Sequence, residues 1–378
     1  MNPSSPTLRR LLTGSAIAAG IAVAIVPLAA GQAMAAGRSA AHDPGLLPGV
    51  TFVAAPPPGA SGPDDITRLG TDGVDGGRNL IWTAYQNGIN PDGTPGTPGG
   101  PTKSTIAGYD PVDGRLVRTM RVTGKVDGLT ADPRIDRLVA TVNEDENSAL
   151  YLVNVATGDA TKFHYDPSPS ESDNGGTDSI AIWGGQIVLA HSNPNDTEDA
   201  TAYAVTLDWW TGIAHLRTLF TNDSRAFDAV THTWVTLALT DPDTNFVMPE
   251  AAPRFAGTLA TISQADGEII FASRSRSDSL DLTVLPVTDN VPGNIPPIDG
   301  LAVATAERGI LYVVDAGAGT ITALTTDGWP AGTVFVAEPS DNSNPILGTL
   351  DLWTGMITPL SNAFVSPKGL LFVPADRE

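Results

Sequence analysis

An aspartate placed just ahead of an apolar, strand-forming stretch recurs along this chain too regularly to be an ordinary loop residue. It appears in "PDDITRLG" (63–70), "VDGLTADP" (126–133), "TDSIAIWG" (177–184) and "IDGLAVAT" (298–305). A second recurrence interleaves with the first: "YDPVDGRLV" (109–117), "VNVATGDAT" (153–161), "LDWWTGIAH" (207–215) and "LDLWTGMIT" (350–358). These share Asp or Asn, two residues, Thr or Asp, and then Gly. The first side-chain oxygen can accept backbone N–H groups of a tight turn, and the glycine supplies the positive φ that such a hairpin needs. Two interleaved signatures, each in four copies, describe an internal repeat rather than a set of unrelated turns.

Between the signatures lie short runs such as "LIWTAYQ", "LVATVNE" and "ILYVVDAG", cut apart by 39 glycines and 31 prolines. Runs of this kind, bounded by Gly, Asp, Asn or Pro, read as strands, and no stretch keeps a clean helical period. Within a unit the order is an Asp-led strand, a second strand, a third strand, the Gly hairpin and a fourth strand. Units of this pattern occupy 64–122, 126–165 and 177–220. Further on, "RFAGTLATISQADGEIIFAS" (254–273) aligns by pattern with "IDGLAVATAERGILYVVDAG" (298–317), and "SPKGLLFVP" (366–374) reads as one more first strand. The expected fold is all-β, a β-propeller of four antiparallel strands per blade, with six blades first and seven as the alternative. The N-terminal strand "GVTFVAAP" (49–56) is expected to complete a blade with the C-terminal strands. The tryptophans, among them Trp82, Trp183, Trp209, Trp210 and Trp353, are expected to pack between blades.

The first 36 residues do not belong to this pattern. Arg9 and Arg10 precede the apolar "AIAAGIAVAIVPLAA" and then small residues at "GQAMAA", the layout of a signal peptide removed at export. Residues 37–48 read as a flexible leader and 49–378 as a single domain, secreted or held outside the cell envelope. The apolar run, broken by Gly20 and Pro27, is shorter than the ~20 residues of a membrane span. The chain has no cysteine, so disulfides play no part, and its formal charge of −21 argues against nucleic acid as a partner. A monomer that meets a small polar molecule or another extracellular ligand, without membrane insertion, is expected. No nucleophile elbow, H-E-x-x-H or phosphate loop is present.

In a propeller the first strand of each blade lines a central channel. Asp65, Asp127, Asp178 and Asp299 should therefore meet at one channel mouth, with Lys368 among them, beside Asn87, Asn143 and His191 at the ends of second strands. "DPDTN" adds Asp241, Asp243 and Asn245 as alternate-position cation ligands in a β-loop. Two readings stay open for the ring: carboxylates that accept turn N–H groups, or carboxylates that hold a cation or a ligand.

With "GPDDITRLG…NLIWTAYQNG", "DGLTADP" and "DGLAVATAERGILYVVDAGAGTITAL" in view, the chain resembles exported bacterial β-propellers of the NHL and gluconolactonase-like group. The lactonase branch of that group holds a divalent cation, usually Ca²⁺, in the channel on Glu, Asn and Asp side chains. The resemblance implies Asn87, Asn143, Asp178 and Asp299 at comparable places, but the sequence shows no early metal-binding Glu. The expected metal set is then Asn143, Asp178, Asp241, Asp243 and Asp299. The expected ligand set is Asp65, Asn87, His191 and Lys368. The first functional reading is a non-catalytic binding module at this acidic mouth. Its alternative is a metal-dependent lactonase-like hydrolase in which Asp127 or Asp178 activates water.

Overall fold

The structure, a computed structural model, describes residues 49–70, 79–169, 175–194, 198–275, 279–289, 291–325, 328–340 and 345–375. The expected signal peptide and leader lie outside the described residues. Every regular element among the described residues is a strand.

Strand β1 (Val50–Ala54) opens the described chain. A first four-strand antiparallel run follows: β2 (Pro63–Gly70), β3 (Asn79–Tyr85), β4 (Lys103–Tyr109) and β5 (Leu116–Thr123). The second run is β6 (Val126–Asp132), β7 (Arg137–Val142), β8 (Ala149–Val153) and β9 (Ala160–Asp166). The third is β10 (Thr177–Trp183), β11 (Gln186–His191), β12 (Ala200–Asp208) and β13 (Ile213–Thr221), joined edge to edge with the second by a parallel β13–β9 pairing. These three match the unit boundaries read from the sequence.

The centre departs from expectation. After the hairpin β14 (Arg225–Asp228) and β15 (Trp234–Thr236), the fourth run is β16 (Pro242–Val247), β17 (Leu259–Ser263), β18 (Glu268–Arg274) and β19 (Leu280–Pro286), with β14 pairing outside β19. The first strand of this run is therefore "PDTNFV", and the stretch 254–273 supplies its second and third strands.

The segment 298–317, expected to hold two strands of one unit, is divided between two. β20 (Gly300–Val303) heads the fifth run, β21 (Gly309–Asp315) and β22 (Thr320–Thr325) leave for the sixth, and β23 (Val334–Glu338), β24 (Ile346–Leu350) and β25 (Ile357–Ser361) return to finish the fifth. β26 (Pro367–Pro374) then heads the sixth run in the order β26-β21-β22-β1, so both ends of the domain are hydrogen-bonded into one sheet.

Burial explains why the sequence reads this way. Second and third strands such as β3 and β8 are buried along almost their whole length, because neighbouring sheets cover both faces, while fourth strands such as β5 alternate with solvent. Six apolar clusters lie between successive runs, for example Trp82 with Leu129 and Val142, and Tyr312 and Ala54 with Ile66 and Tyr85. Together they link run one to two, onward to six, and six back to one. This circular all-β stacking is consistent with a β-propeller. Trp82 and Trp183 are buried as expected, but Trp209, Trp210 and Trp353 stand exposed at hairpin tips.

Candidate functional site

Each first strand begins with a ladder irregularity or an extra backbone bond at the same point, and the residue there is the ring residue. Register shifts fall at Pro63–Ile66, Val126–Leu129, Thr177–Ile180 and Pro242–Thr244, and on the partner strand between Val313 and Asp315 opposite Pro367. In the fifth run Asp299 N–H and the Gly300 pairing both address Ala337. The equivalent residues are thus Asp64, Asp127, Asp178, Asp243, Asp299 and Lys368. A bulge re-aims one side chain out of the strand's alternation; register shifts mark this point in five runs, and the extra Asp299 backbone bond marks it in the other, the fifth in chain order.

The residue after the ring position touches the next run, and these contacts close a circle. Asp65 accepts the Leu129 N–H at 2.8 Å, Asn245 Nδ2 donates to the Ser179 carbonyl, and Thr244 Oγ1 donates to the Asp299 carbonyl. A Cβ on Gly128 would meet the Asp178 carbonyl, one on Gly300 the Lys368 carbonyl, and one on Gly369 the Asp64 carbonyl. Close backbone approach therefore explains the glycine in "VDG", "IDG" and "PKG". It also corrects the expectation for Asp65. That residue holds the inter-run contact, and its neighbour Asp64 belongs to the ring.

Charge around the ring is uneven. Lys368 Nζ stands 2.8 Å from Asp299 and 3.3 Å from Asp64. Lys125 Nζ stands 2.8 Å from Asp127 and also pairs with Glu144. Gln86 Nε2 donates to Asp64 and, at 3.2 Å, to Asp127, while Gln264 Nε2 donates to Asp299 at 3.3 Å. Asp178 and Asp243 make no ion pair or side-chain hydrogen bond among the described residues. Burial raises the pKa of Asp178 well above the usual carboxylate range, with Asp243, Glu144 and Asp127 adding to it. Burial likewise raises Asp243, with Asp299 beside it. Asp241 is pushed up to about 6 by burial and by Glu144. Asp127 rises too: burial leads, and its one lysine is shared with Glu144.

The expected rim residues divide. Asn87 and Asn143 both sit at positive φ, 59° and 64°, and spend their amides on backbone. Asn87 accepts the Ser61 N–H and donates to the Lys103 carbonyl; Asn143 accepts the Lys125 N–H and donates to the Asn147 carbonyl. Each ties the end of a second strand to the lead-in of its first strand. His191 is buried, its Nδ1 is 2.9 Å from the Ala200 carbonyl, and burial lowers its pKa. It lies between strands rather than on the rim.

The residues do not fit the calcium site that the resemblance implies. Among the described residues no three His, Cys, Asp or Glu side chains come together to hold one ion. The Asn143 amide oxygen already accepts the Lys125 N–H, and Asp299 already faces an ammonium. Sequence reasoning missed Asp64, Lys125 and Gln264, while Gln86, at the end of a second strand, was among the residues expected to rise at the rim. "PDD" offered two aspartates and no local way to choose between them. Beneath the ring a cavity of about 480 Å³ runs between the first strands of all six runs.

No protein-family model matches the chain, and no curated protein does. Among solved structures it is similar to a periplasmic gluconolactonase of Pseudomonas aeruginosa, at 12% identity over 82% of this chain and 88% of that one, with a TM-score of 0.45. It is similar to a protein assigned as a 6-phosphogluconolactonase from Bacteroides fragilis, at 12% identity over 82% and 98%, with a TM-score of 0.42. A protein assigned the same way from Bacteroides uniformis gives 11% identity over 85% and 88%, with a TM-score of 0.43. Among the described residues no helix is long and apolar enough to cross a membrane.

Proposed function

We propose that this chain is an exported, six-bladed β-propeller that binds a small polar molecule at its acidic mouth and hydrolyses a lactone or ester there. Export rests on the leader sequence, and the blade count on the six four-strand runs and the six clusters between them. The observation that carries the reading is the pair Asp178 and Asp243, the two ring carboxyls that form no direct ion pair or side-chain hydrogen bond among the described residues and that burial raises well above the carboxylate range. Like carboxyls in one low-dielectric site cannot both ionise easily, and in this mechanism one of the two is protonated while the other is ionised. That gives a base and an acid in the same place. The ionised carboxylate takes a proton from water as its oxygen attacks the carbonyl carbon. When the carbon–oxygen bond to the leaving group breaks, the protonated carboxyl delivers its proton to the departing oxygen. No step uses a metal.

Turnover of a panel of small lactones and esters tests this directly. Asp178→Asn and Asp243→Asn should each lower kcat by about 10²–10⁴-fold, with a bell-shaped pH profile in the parent that each variant loses. Chelator should leave the parent rate unchanged. A chain that binds panel members without any turnover would instead be the non-catalytic binding module, which uses the same two carboxyls. Activity that vanishes with chelator and returns with calcium would overturn the metal-free mechanism.

A further inference from the structure

The cavity under the ring has a wall unlike its mouth. Every run lines it with a first strand: the part-buried Ile182, Phe246 and Leu371 face it on three runs, and Ile66, Leu129 and Leu301, packed mainly between runs, border it on the others. Polar groups gather at the ends. Asp65 and Asp299 border the cavity on the ring side, and Arg134 borders it at the far end. Arg134 brings its own counter-ion, since its Nη2 and Nε lie 2.6 and 2.8 Å from the buried carboxylate of Asp132. The far end is thus close to neutral, and the ring end is where hydrogen-bonding capacity is concentrated.

A half-open channel of a few hundred Å³, lined by a mix of aliphatic, aromatic and threonine side chains with charged groups at one end, suits a small amphiphile. A purely hydrophilic sugar would have to give up water against these side chains without replacing its hydrogen bonds, which is unfavourable. We propose that the channel receives the apolar body of the ligand, with the polar head at Asp65 and the ring. The ligand class is therefore a small amphiphile: an aliphatic or aromatic tail carrying a lactone, ester, hydroxyl or amine head. The inference rests on the mouth being a binding site, and it does not require that the site be catalytic.

N-phenyl-1-naphthylamine, an uncharged apolar fluorophore, is the probe, added to the exported chain and displaced by γ-lactones of increasing alkyl length. Displacement affinity should improve about three- to fourfold per added methylene until the cavity is full. Thr130→Phe, which narrows the cavity away from the ring, should weaken probe binding by tenfold or more with circular dichroism and Tm retained. Should that variant misfold, Ala131→Leu narrows the same level. Turnover of the lactone panel by the parent chain is read alongside probe displacement, so the two proposals fail separately. A chain-length series with flat affinity, or a folded Thr130→Phe protein that binds the probe as well as the parent, refutes the channel assignment. Chain-length dependence without any turnover refutes the hydrolase and leaves the channel standing.

Discussion

Two arcs of the same ring were given the same backbone and different charge. On the arc of the fifth, sixth and first runs, Lys368 sits between Asp299 and Asp64 and is paired with both. On the arc of the third and fourth runs, Asp178 and Asp243 occupy equivalent bulges without a direct ion pair among the described residues, and feel Lys125 and Lys368 only at longer range. The difference teaches that the aspartate repeat is not a single device. The strand-start irregularity is structural and is used in every run. What the chain places on it decides whether that sector holds the ring together or faces a ligand.

The largest effect should come from removing the one cation of the ring. Burial alone would lower the pKa of Lys368, but Asp299, Asp64 and Asp243 outweigh it and raise it well above the ordinary value. Lys368→Met leaves those carboxylates buried without a counter-charge, which should cost about 3 kcal/mol at neutral pH. Urea unfolding would measure it, and added calcium should recover part of the loss only in this variant. A loss below the error of the measurement would mean that the two arcs are energetically alike.

The pH dependence should follow the unattended arc. Asp241 titrates near 6 in the folded chain against an ordinary 3.8, so between those values the native state keeps a proton that the unfolded chain releases. Stability is then full below about pH 4 for this group and is lost as pH rises through 6. Asp178 and Asp243 are raised as well and act in the same direction. Unfolding free energy should fall by about 2 kcal/mol between pH 5 and 8, after allowing for solvent screening. Stability that climbs over this interval would place these carboxyls in a solvated setting.

Asp243→Asn sharpens the contrast by reversing the sign. Removing a charge from the crowded arc should stabilise the fold by about 1 kcal/mol at pH 8 and flatten the pH profile, even as it removes turnover. Gain of stability with loss of function at one residue is the mark of a site held under electrostatic strain. Destabilisation by this substitution would show that Asp243 has a partner that the fold depends on.

How legible was this from the sequence? The first three units could be bounded because each follows its own chain order and starts with an aspartate beside a β-prone run. The fourth was obscured because "PDTNFV" opens with polar residues and a proline, so Asp243 looked like part of a loop rather than the missing ring residue. The fifth and sixth were obscured because β21 and β22 are exchanged between sheets, which no local pattern can report. One more copy of the turn repeat was hidden for a similar reason. Asp228 accepts the Val230 and Thr231 N–H groups as its counterparts do, but His232, at φ 58°, stands where the others have glycine. Asn87 and Asn143 were legible as special positions. That their amides serve the backbone instead of a metal depends on residues far away in the chain.

The smallest effect concerns the side chain that spans the attended arc and the next. Gln86 donates through one amide nitrogen to Asp64 and Asp127, so it links two runs without adding charge. Gln86→Met keeps the length and removes both bonds, and should cost about 1 kcal/mol. Because Lys368 still holds Asp64 and Lys125 still holds Asp127, this loss and the gain from Asp243→Asn should combine additively in the double variant. A thermodynamic cycle from urea unfolding of the single and double variants reads this directly. If the two effects couple strongly, charge is shared around the whole mouth, and the division into an attended arc and a ligand-facing arc does not hold.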